Sequence, residues 1–135
     1  MNGTYNWKGR KVLVVEDDKE SQVYYRELIR KNNAEVVIAG NGEKALKYIQ
    51  EDVDINLVLL DIRLPGNDGY FVSQQIKRLR NDLPIIAQTA YAMPGEKNKS
   101  IQYGCDHFLT KPVRKEELYR VISNYLDKKF STLNM

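Results

Sequence analysis

The sequence predicts an α/β fold in which a five-stranded parallel sheet is wound with helices on both faces. Three observations carry that prediction. Apolar strand-like runs alternate with amphipathic segments five times along the chain. The central run, Leu57-Val58-Leu59-Leu60, lacks polar alternation, as a parallel strand covered on both faces requires. Turn-forming pairs such as Asn41-Gly42 and Pro94-Gly95 fall between the runs.

Taken in order, the first strand is Lys11–Val15, followed by a helix near Lys19–Asn32 for which Asp18 reads as the N-cap. The second strand, Glu35–Ala39, gives way at Asn41-Gly42 to a helix over Gly42–Glu51. The third strand is Asn56–Leu60, and Asn67-Asp68-Gly69 opens a helix over Gly69–Arg80. The fourth strand is Pro84–Gln88, and Met93-Pro94-Gly95 opens a helix over Pro94–Tyr103, with Pro94 in its first turn. Asp106–Leu109 and a closing helix over Arg114–Lys128 complete the pattern. Right-handed crossovers leave few arrangements of such units, and the flavodoxin-like strand order 2-1-3-4-5 leads. One domain over residues 11–128 is expected, between short tails at 1–10 and 129–135, with Trp7 packing on the domain edge.

At 135 residues the chain suits one domain with a proper core. A hydrophobic share of 42% and a charged share of 29% are ordinary for a soluble globular protein. The net charge of +3 is small against 21 basic and 18 acidic side chains, so no direct nucleic-acid contact is expected. The single cysteine, Cys105, rules out an internal disulfide and a thiolate metal cluster. No apolar stretch approaches the ~20 residues of a membrane span, and Met1–Arg10 lacks the apolar core of a signal peptide. A cytoplasmic location without direct membrane contact follows as the expectation, and Asn2-Gly3-Thr4 is then a coincidental sequon.

In this topology the C-terminal strand ends share one edge. Strand one runs into Glu16-Asp17-Asp18, strand three into Asp61, strand four into Thr89, and strand five into Thr110-Lys111-Pro112. Crowded carboxylates repel unless a cation sits among them, and hard oxygen ligands at that density suit Mg²⁺. Lys111 supplies a second positive charge. The set makes chemical sense if a phosphoryl group is transferred to Asp61, with the ammonium and the Thr89 hydroxyl each taking a phosphoryl oxygen.

These residues resemble the receiver domain of two-component response regulators, over about Lys11 to Asp127. Val12-Leu13-Val14-Val15-Glu16-Asp17-Asp18 is similar to that family's first strand and acidic pair, and Asp61-Ile62-Arg63-Leu64-Pro65-Gly66-Asn67-Asp68-Gly69 to its phospho-acceptor motif. The resemblance implies that Asp61 is the acceptor and that Thr89 and Phe108 are the switch residues. It implies Mg²⁺, with Mn²⁺ as a substitute, held by Asp17, Asp61 and the main-chain carbonyl of Arg63, and by Glu16 directly or through water. It also implies a cis peptide between Lys111 and Pro112. The implied donor is a phosphohistidine on a histidine kinase or a histidine phosphotransfer domain. The stretch Ala87 to Gly95, with Gly104-Cys105-Asp106, looks most like receivers attached to hybrid sensor kinases.

By the same resemblance the chain turns over only its own phosphoryl group, so it is not a multiple-turnover enzyme. Arg63 and Tyr91, each two residues beyond a reacting position, are expected to hinder in-line water and set the lifetime of the phosphoryl group. An effector face is expected on helix four, strand five and helix five, around Lys99, Tyr103, Arg114, Tyr119 and Arg120; Tyr119 serves either that face or the core. On the first helix, Tyr24 and Leu28 are expected to face the sheet. Val23, among Lys19, Arg26 and Arg30, is either a stray apolar residue or a docking point for a phosphotransfer helix bundle.

The rival reading is a Mg²⁺-dependent aspartyl phosphatase of haloacid dehalogenase type. Such enzymes carry Asp-x-Asp at the nucleophile, whereas Arg63 stands at the second position here. A flavin binder would need a phosphate loop where Glu16-Asp17-Asp18 repels phosphate.

Overall fold

The computed structural model describes residues 5–64, 67–90 and 93–133. Counting the strands of the main sheet, the order is β1 Lys11–Val15, α1 Lys19–Arg30, β2 Glu35–Ala39, α2 Gly42–Glu51, β3 Leu57–Asp61 and α3 Gly69–Leu79. Then follow β4 Ile85–Thr89, α4 Glu96–Gln102, β5 His107–Thr110 and α5 Lys115–Leu133. The five strands are parallel in the order β2-β1-β3-β4-β5, as the pattern of runs predicts. A small antiparallel ribbon, Arg63–Leu64 with Asn67–Asp68, bridges β3 to α3.

The third, fourth and fifth strands each sit one residue further along than the apolar runs suggest. The reason is that polar strand ends stay in the ladder: Asp61 pairs with Gln88, and Thr89 with Thr110. Hydrophobicity fades there before the backbone hydrogen bonding does. α4 begins at Glu96 rather than Pro94, because Gly95 adopts a left-handed φ of 88° that no helix interior allows. α5 continues past Lys128 to Leu133.

Two apolar layers clamp the sheet. One face packs Leu13, Val58, Leu60 and Ile85 against Ile49, Val72 and Ile76 of α2 and α3. The other packs Val12, Val14, Leu57 and Leu59 against Ile29, Leu118 and Ile122 of α1 and α5. Every residue of β3 is buried, and each buried aliphatic side chain is worth about 1.5–3 kcal/mol, so the strand that carries Asp61 is firmly anchored.

α1 is phased differently from the expectation. Tyr25, not Tyr24, faces the sheet with Leu28, and Tyr24 is 43% exposed with its hydroxyl on the Val113 carbonyl at 2.7 Å. The helix starts from its Asp18 cap, and the inner stripe is then Gln22, Tyr25, Leu28 and Ile29. Trp7 is buried, its indole N–H donating to Ser123 Oγ at 2.9 Å and its ring edge-on to Tyr119. Tyr119 donates to the Leu28 carbonyl, so its side chain serves packing between α5 and α1.

Candidate functional site

The crevice lies at the C-terminal ends of β1, β3, β4 and β5. Lys111 Nζ stands 2.9 Å from Glu16 Oε1 and 3.1 Å from Asp61 Oδ2, one ammonium shared by two buried carboxylates. Glu16, Asp17 and Asp61 each bring a carboxylate oxygen within 4.8 Å of the others, with Asp17 on the exposed side. The Arg63 N–H donates to Asp61 Oδ1 at 2.9 Å, which aims the carboxylate.

Local structure explains each position. Besides Lys111, local bonds hold Glu16: its carbonyl accepts from Gln22 Nε2 at 2.7 Å, and its carboxylate accepts from the Asp18 N–H. Asp18 is occupied as the α1 cap, accepting from both the N–H and the hydroxyl of Ser21, and it stands outside the cluster. Lys111 is delivered by a backbone bond from its N–H to the Thr89 carbonyl at 2.8 Å, and the Lys111–Pro112 peptide is cis. Gly69 lets α3 start against the acceptor loop, because a Cβ there would lie 2.5 Å from Ile62 backbone atoms.

Electrostatics bind the group together. Burial pushes the Glu16 carboxyl up, against the lowering pull of the Lys111 hydrogen bond. Burial alone would pull the Lys111 ammonium down, but Glu16 and Asp61 outweigh it and hold it above its ordinary value. The cation therefore stays charged, and it offsets part of the repulsion among the carboxylates.

Thr89 is fully buried at the end of β4, while Phe108 is half-buried on β5 and packs against the layer that contains Ala87. The Arg63 side chain pairs with Glu96 at 3.2 Å. Tyr91, expected beside the reaction centre, lies outside the described residues, as do Pro65 and Gly66.

Sequence reasoning missed Gln22, Gln88 and Glu96. Gln88 is buried in β4 and accepts a hydrogen bond from the Tyr25 hydroxyl. A Gln inside an apolar strand run was the available signal for it. Nothing local marks Glu96, whose partners come from the β3–α3 region.

Residues 12–123 match the family model for the response regulator receiver domain. The chain belongs to the response regulator receiver domain family. It is 35% identical over 117 residues to the sensor protein GacS of Pseudomonas syringae pv. syringae, covering 83% of this chain and 13% of that one. It is 33% identical over 120 residues to the polar-differentiation response regulator DivK of Brucella anthropi, covering 87% of this chain and 96% of that one. This receiver thus spans about an eighth of the length of GacS and nearly all of DivK.

Among solved structures, it superposes on the receiver domain of sensor histidine kinase PA1611 from Pseudomonas aeruginosa PAO1, which has a magnesium ion coordinated in its active site cleft. The TM-score is 0.80 at 29% identity, covering 87% of this chain and 98% of that one. A second match is to the co-crystal structure of the Saccharomyces cerevisiae histidine phosphotransfer protein Ypd1 with the receiver domain of Ssk1. There the TM-score is 0.83 at 26% identity, covering 90% of this chain and 92% of that one. This receiver is therefore a component of two-component phosphorelay signalling. The haloacid dehalogenase reading finds no support: Arg63, paired with Glu96, holds the place of the required second Asp. Among the described residues no helix is long and apolar enough to cross a membrane.

Proposed function

We propose that this receiver accepts a phosphoryl group on Asp61 from a phosphohistidine donor and changes conformation in response. The observation that carries this is the buried Asp61 carboxylate, held between Lys111 and the Arg63 N–H beside two further acids. The donor set fits a hard divalent cation, since three carboxylate oxygens converge and Asp17 leaves the cluster open to solvent. Glu16, Asp17, Asp61 and the Arg63 carbonyl would hold Mg²⁺, or Mn²⁺ in its place. When bound, that cation supplies neutralising charge for the incoming phosphoryl oxygens.

In the transfer, an Asp61 carboxylate oxygen forms a bond to phosphorus as the phosphorus–nitrogen bond to the donor imidazole breaks, the electron pair staying on the ring nitrogen. Lys111, already 3.1 Å from Asp61, takes a phosphoryl oxygen and disperses its charge. Thr89 is the hydroxyl that follows the phosphoryl group, and Phe108 turns inward behind it, a shift between two populations rather than a new fold. Because the group returns to water from the same carboxylate, the chain cycles on itself and turns over no external substrate.

The donor is a histidine kinase or a histidine phosphotransfer domain, a class supported by the GacS likeness and by the Ypd1–Ssk1 complex. Val23 of α1, 48% exposed, supplies the apolar centre of that docking face, and the effector face is α4, β5 and α5. A cytoplasmic location is part of the same proposal. Incubation with acetyl phosphate and Mg²⁺, read by intact mass, tests the function. One phosphoryl mass is expected on the wild type and none on Asp61→Asn, whereas steady turnover of phosphate esters would overturn the reading.

A further inference from the structure

The loop that follows Asp61 is tied to the start of α4 by a compact polar knot. Arg63 Nη2 lies 3.2 Å from Glu96 Oε1, and the Tyr70 hydroxyl donates to the other oxygen of the same carboxylate. The Lys99 ammonium sits 4.6 Å above the Tyr70 ring, and Tyr103, the C-cap of α4, packs against that ring. The Glu96 side chain is only 12% exposed, while that of Arg63 is 53% exposed. Glu96 is thus the buried centre of the knot, and the guanidinium is its exposed member.

Arg63 is also the residue whose N–H bonds Asp61, so its side chain starts beside the acceptor. A phosphoryl group on Asp61 would carry about two negative charges and three strong acceptor oxygens in place of the carboxylate's single charge, a natural guanidinium partner. From these contacts we infer that Glu96 is a positioning residue for the dephosphorylation step. It competes with the phosphoryl group for the Arg63 guanidinium and so leaves the phosphoryl group open to water for part of the time. In that step a water oxygen forms a bond to phosphorus, the bond from phosphorus to Asp61 oxygen breaks with its electron pair returning to the carboxylate, and both water protons leave with phosphate as the dihydrogen ion. Arg63, once released, pairs with the phosphoryl oxygens and obstructs the approach of that water. An ion pair with one exposed partner is weak, so the balance is readily tipped. The inference rests on Asp61 being the acceptor.

The test is the lifetime of the phosphoryl group after removal of excess acetyl phosphate, followed by intact mass. Glu96→Gln keeps an acceptor for Tyr70 while removing the charge that holds Arg63. Its lifetime is expected to be about threefold longer than wild type, an effect the size of one weak ion pair. In an Arg63→Ala background the same substitution is expected to change nothing, whereas a merely structural role for Glu96 would persist there. Equal lifetimes for wild type and Glu96→Gln, or an undiminished effect in the Arg63→Ala background, would overturn the inference alone. Absence of any phosphoryl gain on the wild type would overturn the acceptor reading, and this inference with it.

Discussion

The Lys111 ammonium lies 3.1 Å from the Asp61 carboxylate and shares itself with Glu16 at 2.9 Å. Removing it leaves two buried acids facing each other without a counter-charge. Lys111→Ala is therefore expected to cost about 1–2 kcal/mol of stability, below the range for fully buried pairs because the lysine is partly exposed. Urea unfolding should show a smaller loss in an Asp61→Asn background, where the repulsion is already relieved. An equal loss in both backgrounds would refute this coupling.

Gly69 carries a different constraint, one of space. A Cβ at that position would meet the Ile62 Cα and carbonyl oxygen at 2.5 Å, next to the acceptor. Gly69→Ala is expected to lower stability by about 1–3 kcal/mol through forced backbone shifts. The urea midpoint should fall with an unchanged slope. A midpoint equal to wild type would show that α3 moves aside freely.

His107 gives the pH dependence. Burial lowers its pKa first, and Arg120 and Lys97 lower it further against Glu117. The unfolded chain then binds more protons than the native state below the ordinary histidine range. Its contribution to stability is present above that range and is lost as pH falls from it through the lowered native value. Urea midpoints at about pH 7.5 and about pH 5.5 should differ less in His107→Gln than in wild type. An unchanged difference would assign the dependence to other groups.

Arg63 and Tyr91 are expected to slow hydrolysis together, so the Arg63→Ala, Tyr91→Ala double variant should lose its phosphoryl group faster than wild type. Decay of purified, phosphorylated protein in Mg²⁺ buffer measures this. Identical decay curves would remove both residues from the account.

Much of the fold was legible because periodicity speaks for whole elements. The unalternated Leu57–Leu60 run announced a central strand, and the sheet order followed from crossover handedness. Strand ends were misplaced by one residue where Asp61 and Thr89 stay in the ladder despite their polarity. Tyr24 and Tyr25 were exchanged because adjacent tyrosines give a helical phase no local contrast. At the site, the acids and Lys111 were readable because each stands at a strand end or within two residues beyond it. Gln22 and Glu96 were not, since their meaning lies in contacts to Glu16 and to Arg63 and Tyr70 that only the folded chain creates.

The central claim is that Asp61 itself carries the phosphoryl group. Borohydride reduction of the acetyl-phosphate-treated protein, followed by peptide sequencing in the mass spectrometer, converts an aspartyl phosphate to homoserine and marks its position. Homoserine at Asp61 alone is the predicted result. Homoserine at Glu16, Asp17 or any other acid, or at none while the intact mass still rises, would contradict it.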